Sequence, residues 1–227
     1  MPESRRRFLS RAAVAGSAAL APAGGASAAE GALPGPSPSE YLMRQHGVVH
    51  RLALLFDAVA VRLEEGKNVP DAFLDTRDLV FEFTENYHEE LEESYVFNHF
   101  AEGRLGQMAT VLRMQHSLGH TLAQRVYGMA RQGPDPGAER RRNLIRSCRS
   151  YSRMYRAHAA FEDTDLWPAL RKAVSARKYA DIRKSFHEEA RKQLGDGGFS
   201  AVVERLAEAE KQVGVGGLSD YTPDELP

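Results

Sequence analysis

From Ser39 onward apolar residues return at alternating intervals of three and four through four long segments, and histidines stand inside those apolar rows. A row of that period is one face of a helix packed against other helices, and strand signals are scarce, so the fold class is read as all-α. In the first segment Leu42, His46, Val49, Ala53, Phe56, Ala60 and Leu63 form the row, closed by Gly66 and Pro70. In the second, beginning near Pro70-Asp71, Leu74, Phe81, His88 and Tyr95 recur every seven residues until Gly103. The third carries Leu105, Ala109, Leu112, His116, Gly119, Ala123, Val126 and Ala130, and stops at Gly133-Pro134-Asp135-Pro136-Gly137. The fourth carries Leu144, Cys148, Tyr151, Tyr155, His158, Glu162, Asp165 and Ala169. Short breaks rich in Gly and Pro join the segments, which predicts an up-down-up-down four-helix bundle over residues 40–172. Two weaker helical stretches, about Ala176–Leu194 and Ser200–Val213, read as accessory packing within residues 173–227.

The start of the chain reads differently. Ser4-Arg5-Arg6-Arg7-Phe8-Leu9-Ser10 precedes an Ala-rich stretch from Ala12 to Ala23 and the small residues Ala26-Ser27-Ala28. That order resembles a twin-arginine signal peptide over residues 1–29, and implies export to the periplasm or another extracytoplasmic space. The competing reading is a basic N-terminus whose Arg pair arises by chance. Pro34, Pro36 and Pro38 then make residues 30–39 a stiff linker. Beyond the leader no apolar run approaches the ~18–20 residues that span a bilayer, so the mature protein is not expected to insert in a membrane. Thirty Lys and Arg against 31 Asp and Glu leave a formal charge of -1, which offers no field for nucleic acid or anionic lipid. Cys148 is the only cysteine, so one chain makes neither a disulfide nor a Cys-rich metal site. Any metal is left to oxygen and nitrogen ligands.

Residues four apart on a helix are offset by only ~40° and can reach the same metal or adjacent metals. Three such pairs occur, His88 with Glu92, His116 with His120, and His158 with Glu162, and His46 adds a fifth imidazole from the first helix. Imidazole suits iron, zinc and copper, and a carboxylate has two oxygens with which to bridge a metal pair.

The order His-x-x-x-Glu, His-x-x-x-His, His-x-x-x-Glu across successive helices resembles the hemerythrin-like HHE cation-binding family, over about Glu40 to Arg171. Met43-Arg44-Gln45-His46-Gly47-Val48 and Asp165-Leu166-Trp167-Pro168 add to the likeness. The resemblance implies that His46, His88, Glu92, His116, His120, His158 and Glu162 are metal ligands, with Glu92 and Glu162 bridging. It implies as cofactors two non-haem iron ions, joined by a bridging oxo or hydroxo group, ahead of zinc or manganese. His50 competes with His46 as the first ligand. His120 flanks the row at Gly119, and some members of the family use one histidine on this helix. Hemerythrin places its last carboxylate five residues after the histidine, which here is Asp163; five residues turn a side chain ~140° off the row, which favours Glu162.

Each residue also has a plainer reading. A single core histidine is most often hydrogen-bonded to a neighbour, but three on separate helices argue against that fate. A carboxylate in an apolar row is costly unless paired or bound to a cation. Glu89, Glu93 and Asp163 read as surface groups or as partners of ligands, His99 and His187 as exposed histidines, Tyr151 and Tyr155 as packing aromatics, and Cys148 as an inert buried thiol. No phosphate-cradling loop, nucleophile elbow or nucleic-acid motif is present. The reading favoured by the His-rich set is reversible binding of dioxygen, nitric oxide or another small diatomic or peroxide, as a carrier or sensor. A di-iron oxidase, peroxidase or iron-detoxifying enzyme is the alternative, and a structural mononuclear metal module the third.

Overall fold

The computed structural model describes residues 35–133 and 137–223, and among them every regular element is helical. Helix α1 spans Pro38–Glu64. Ser37 caps it by accepting from the Glu40 amide while the Glu40 carboxylate takes the Ser37 amide, and Pro38 fills the first turn, where a missing N–H costs nothing. The second bundle segment is composite: α2, Asp71–Asp75, leads into a wide π-helical stretch, Leu79–Glu89, then α3, Glu90–Tyr95, and a 3-10 turn, Phe97–His99. Helices α4, Gly103–Ala130, and α5, Gly137–Phe161, are regular. A second π-helical turn, Glu162–Leu166, follows α5 and passes into α6, Trp167–Ala173.

Side-chain contacts fix the directions. Tyr41 meets Tyr87 and Phe56 meets Phe73, so α1 and the second segment are antiparallel. Thr76 meets Tyr127 while Glu93 meets Arg113, which reverses α4 against the second segment. His116 meets His158, and Arg149 reaches Asp57 and Glu64 while Asp163 reaches His46, which makes α5 antiparallel to both α4 and α1. The bundle is therefore up-down-up-down. Its core includes Leu42, Leu52, Phe56, Phe73, Tyr127, Tyr151 and Trp167, each at most 2 % exposed. Burying a Leu or Phe side chain stabilises by ~1.5–3 kcal/mol, so these contacts rather than surface ion pairs hold the helices together.

The rows of α1, α4 and α5 face inward as their spacing predicts, with Leu105 only partly buried. The second segment does not follow its expected row. His88 of that row is buried, but Leu74, Phe81 and Tyr95 are only partly so, and Phe73 and Val80, one residue earlier, are buried instead. A π-helix turns less per residue than an α-helix, so the 3.6-residue period loses phase across Leu79–Glu89. The same cause corrects Asp165, which bonds outward to Arg104 while Leu166 and Trp167 turn inward. Helix α7, Ala176–Leu194, and helix α8, Gly198–Val213, pack on the outside, with α8 tied to α1 by the Arg51–Glu210 ion pair. Among the described residues no helix is long and apolar enough to cross a membrane. The leader, residues 30–34 of the linker, and residues 134–136 before α5 lie outside the described residues.

Candidate metal centre

Four imidazoles and two carboxylates converge inside the upper half of the bundle. His46 comes from α1, His88 and Glu92 from the second segment, His116 from α4, and His158 and Glu162 from α5 and the π-turn after it. All six are between 0 and 4 % exposed. The Nε2 atom of His46 lies 3.5 Å from Glu92 Oε1 and 3.2 Å from Glu162 Oε2. His88 Nε2 lies 3.2 Å from Glu92 Oε1, His116 Nε2 3.4 Å from Glu92 Oε2, and His158 Nε2 3.2 Å from Glu162 Oε2. The ligand atoms form two groups within 4.8 Å, His46 with His88 and Glu92, and Glu92 with His116, His158 and Glu162. Glu92 belongs to both, as a bridging carboxylate would.

Each histidine is also held from behind. The Nδ1 atom of His46 bonds Asp163 at 2.7 Å, that of His88 bonds Gln45 at 3.0 Å, that of His116 bonds Glu93 at 2.7 Å, and that of His158 bonds Gln115 at 3.0 Å. With Nδ1–H donating outward, each Nε2 lone pair faces the centre, the arrangement by which proteins orient metal-binding imidazoles. His46 Nε2 and all four oxygens of Glu92 and Glu162 are buried without a hydrogen-bond partner. A buried unpaired charge costs several kcal/mol, so this donor set fits cations.

In the metal-free chain protons take part of that role. Burial opposes charge on His46, but Asp163, Glu162 and Glu92 together overcome it and hold the imidazole well above its ordinary range. Burial opposes charge on His116 too, and Glu92 and Glu93 outweigh it, pushing that imidazole up to about 11. His88 goes the other way, pushed by burial down to about 4. Burial raises Glu92, yet His88, His116 and His46 hold it well below the usual carboxylate range. Aromatic rings close the flank: Phe97 stacks on His116 with centroids 5.6 Å apart, and Trp167 lies 6.0 Å from His46 and stacks on Phe97.

The structure thus brings His46, His88, Glu92, His116, His158 and Glu162 together. His120 is not among them. Its side chain is 48 % exposed and bonds Glu85 and Gln124, because Gly119 takes the inward position and the Tyr155 ring fills the space against it. Neither His50 nor Asp163 enters the two groups, and Asp163 serves His46 from outside. Glu89, read from sequence as a surface or partner group, is 6 % exposed and accepts a 2.8 Å bond from Tyr155, while burial pushes its carboxyl up to about 7.

Gln45 and Gln115 were not expected as partners, but a signal for them exists. Gln45-His46 and Gln115-His116 are 70 residues apart, as are His88 and His158, Glu92 and Glu162, and Glu93 and Asp163. The site is a twofold repeat in sequence, and the outer bonds run from each segment to the next around the bundle in the order Gln, Glu, Gln, Asp.

An up-down-up-down helical bundle with two buried His and Glu groups that can hold cations defines a class of helical metal-binding proteins. The chain belongs to the hemerythrin HHE cation-binding domain family, which it matches over residues 37–170. It is 36% identical over 186 residues to uncharacterized proteins of Mycobacterium bovis and of two strains of Mycobacterium tuberculosis, covering 81% of this chain and 73% of each relative. No solved structure gives a significant match.

Proposed function

We propose that this is an exported non-haem di-iron protein that binds dioxygen or nitric oxide reversibly, as a carrier or sensor. The observation that carries the reading is the buried centre itself: four Nε2 atoms around two carboxylates whose oxygens have no hydrogen-bond partner, every imidazole fixed from behind through Nδ1. His46 and His88 would hold one ion and His116 and His158 the other, with Glu92 and Glu162 shared. Iron bound there supplies an open coordination position for a diatomic ligand. The protein's own part is to hold the ions at fixed separation, keep the imidazoles neutral, and exclude bulk water with Trp167, Phe97 and Tyr155. Neutral imidazoles compensate less iron charge than carboxylates do, which favours return to the reduced state over irreversible oxidation. Export rests on the basic, apolar and small-residue order of the first 29 residues, and a folded metalloprotein is the kind of cargo the twin-arginine route accepts.

The test is metal content together with ultraviolet–visible spectra of the leaderless protein, reduced without oxygen and then exposed to air. Two irons per chain and charge-transfer bands that vanish when oxygen is removed are expected. Irreversible oxidation or peroxide turnover would move the protein to the enzyme class, and zinc or no metal would overturn the di-iron reading. Export is tested by replacing Arg5, Arg6 and Arg7 with Lys, which should leave the protein in the cytoplasm.

A further inference from the structure

Charge is divided between two sides of the bundle. The second segment, residues 71–95, carries nine acids against one cation, Arg77, while α5 carries seven arginines, no lysine and one acid, Glu139. The formal charge of -1 for the whole chain conceals this separation. On α5, Arg142, Arg146, Arg149, Arg153 and Arg156 follow one another at intervals of four and three, which keeps them on one face, and all five are exposed. Counting back 71 residues from each arginine gives Asp71, Asp75, Asp78, Glu82 and Glu85. The first four are exposed, and Glu85 is held inward by His120. Helix α8 borders this acid row at Asp75, which shares a cleft with Arg205, and leaves Asp71, Asp78 and Glu82 in the open. The acid row therefore has the spacing of the arginine row.

The fold presents the two rows to different neighbours. The second segment and α5 each pack between α1 and α4, so they stand diagonally across the bundle and their exposed rows face opposite ways. They also run in the same direction, and His88 and His158, 70 residues apart, both enter the same centre. An offset of 71 thus departs from a level match by one residue, ~1.5 Å of rise. A second copy placed beside the first by translation alone sets its α5 along the second segment of its neighbour, arginine against acid over ~21 Å. Within one chain Arg149 and Arg156 pair with Asp57, and Asp78 with Arg77. Arg142, Arg146 and Arg153, and their matches Asp71, Asp75 and Glu82, form no ion pair among the described residues.

We propose that these faces make a head-to-tail contact between copies of this chain, with Arg142, Arg146 and Arg153 of one copy against Asp71, Asp75 and Glu82 of the next. Guanidinium grips a carboxylate through two parallel N–H donors, which lysine does not offer. Each partner uses a different surface, so every assembly keeps one acid face and one arginine face open, and association continues past the dimer. Exposed ion pairs are weak one by one, so several act together and salt releases them. The metal centre takes no part.

The experiment is sedimentation of the full chain over a range of concentrations, at about 0.1 M and about 1 M salt. At the lower salt the average mass should climb with concentration beyond that of two chains, and the association constant should fall by about tenfold or more at the higher salt. The triple variants Arg142→Glu, Arg146→Glu, Arg153→Glu and Asp71→Lys, Asp75→Lys, Glu82→Lys should each stay monomeric, and their equimolar mixture should associate again, because the reversed rows match each other. Circular dichroism and metal content equal to wild type establish that each variant is folded. The single reversals Arg153→Glu and Glu82→Lys, mixed in the same way, serve if a triple variant does not fold. Wild type that stays monomeric or stops at a dimer, a triple variant that associates as wild type does, or a mixture that stays monomeric overturns the contact.

Discussion

Among single residues, the six that meet at the centre were readable because they break a rule. A His or Glu in an otherwise apolar row must be paired or bound to a cation, and the coincidence of such breaks on every helix leaves little else. Gln45 and Gln115 broke no rule, since each stands beside the row where a polar residue is ordinary, and the 70-residue repeat marks them. Their effect is measurable all the same. Asp163→Ala should keep two metal equivalents but weaken binding by about 10- to 100-fold through His46, whereas Glu162→Ala should lose one equivalent, as read by metal analysis after dialysis. Protons give a second residue-scale prediction. The imidazole of His116 is raised to about 11 in the folded metal-free chain. A group raised on folding stabilises fully below its unfolded value, near 6.5, and that stabilisation is lost as pH climbs toward the folded value. The chelator-treated protein should therefore melt at lower temperature at pH 9 than at pH 6.5. The metal-loaded protein, its imidazoles neutral on the metal, should lose much less. Metal uptake at pH 7 should likewise release protons into a weak buffer.

At the level of elements, the helical character and antiparallel order were legible, and so were the faces of α1, α4 and α5. What escaped was phase. The π-helical stretch Leu79–Glu89 ends just before Glu92 and the stretch Glu162–Leu166 begins at Glu162, and no 3.6-residue reading detects them. Their wide turn is what lets Tyr87, His88 and Glu89 all be buried in succession, and lets Glu162 face inward while the adjacent Asp163 meets His46. Close packing of α4 on α5 supplies the element-scale prediction. Gly119→Ala drives a methyl into Tyr155, which should destabilise by ~1–3 kcal/mol and disturb the Tyr155–Glu89 bond. Gly128→Ala on the same helix meets nothing within 4 Å and should stabilise by ~0.5–1 kcal/mol through helix propensity alone. Thermal melts of the two variants should therefore shift in opposite directions, and a shared sign would mean that Tyr155 moves aside at little cost.

For the whole molecule, sequence periodicity located α7 and α8 but gave no hint of what joins them to the bundle. Apolar contact is part of it, since Val202, Leu206, Ala209 and Val213 are buried on one face of α8, and Phe186 of α7 meets both Tyr41 and Tyr95. The remainder is Glu210, only 4 % exposed, which receives both Nε and Nη2 of Arg51 from the middle of α1. An ion pair in that setting contributes little net stability compared with apolar residues of the same size, yet removing one member strands the other. Arg51→Met should thus cost ~3 kcal/mol, because the Glu210 carboxylate is left buried without its partner. Arg51→Met combined with Glu210→Leu should recover most of that loss. The measurement is a urea melt of wild type, both single variants and the double variant, read as a double-mutant cycle. If the Arg51→Met cost is instead below ~0.5 kcal/mol, α8 swings out to solvate Glu210 and is not part of the cooperative bundle. Loss of the α8 contact with α1 would then be tolerated without loss of the metal centre, because His46 lies more than a turn of helix before Arg51 and is held by Asp163 rather than by α8.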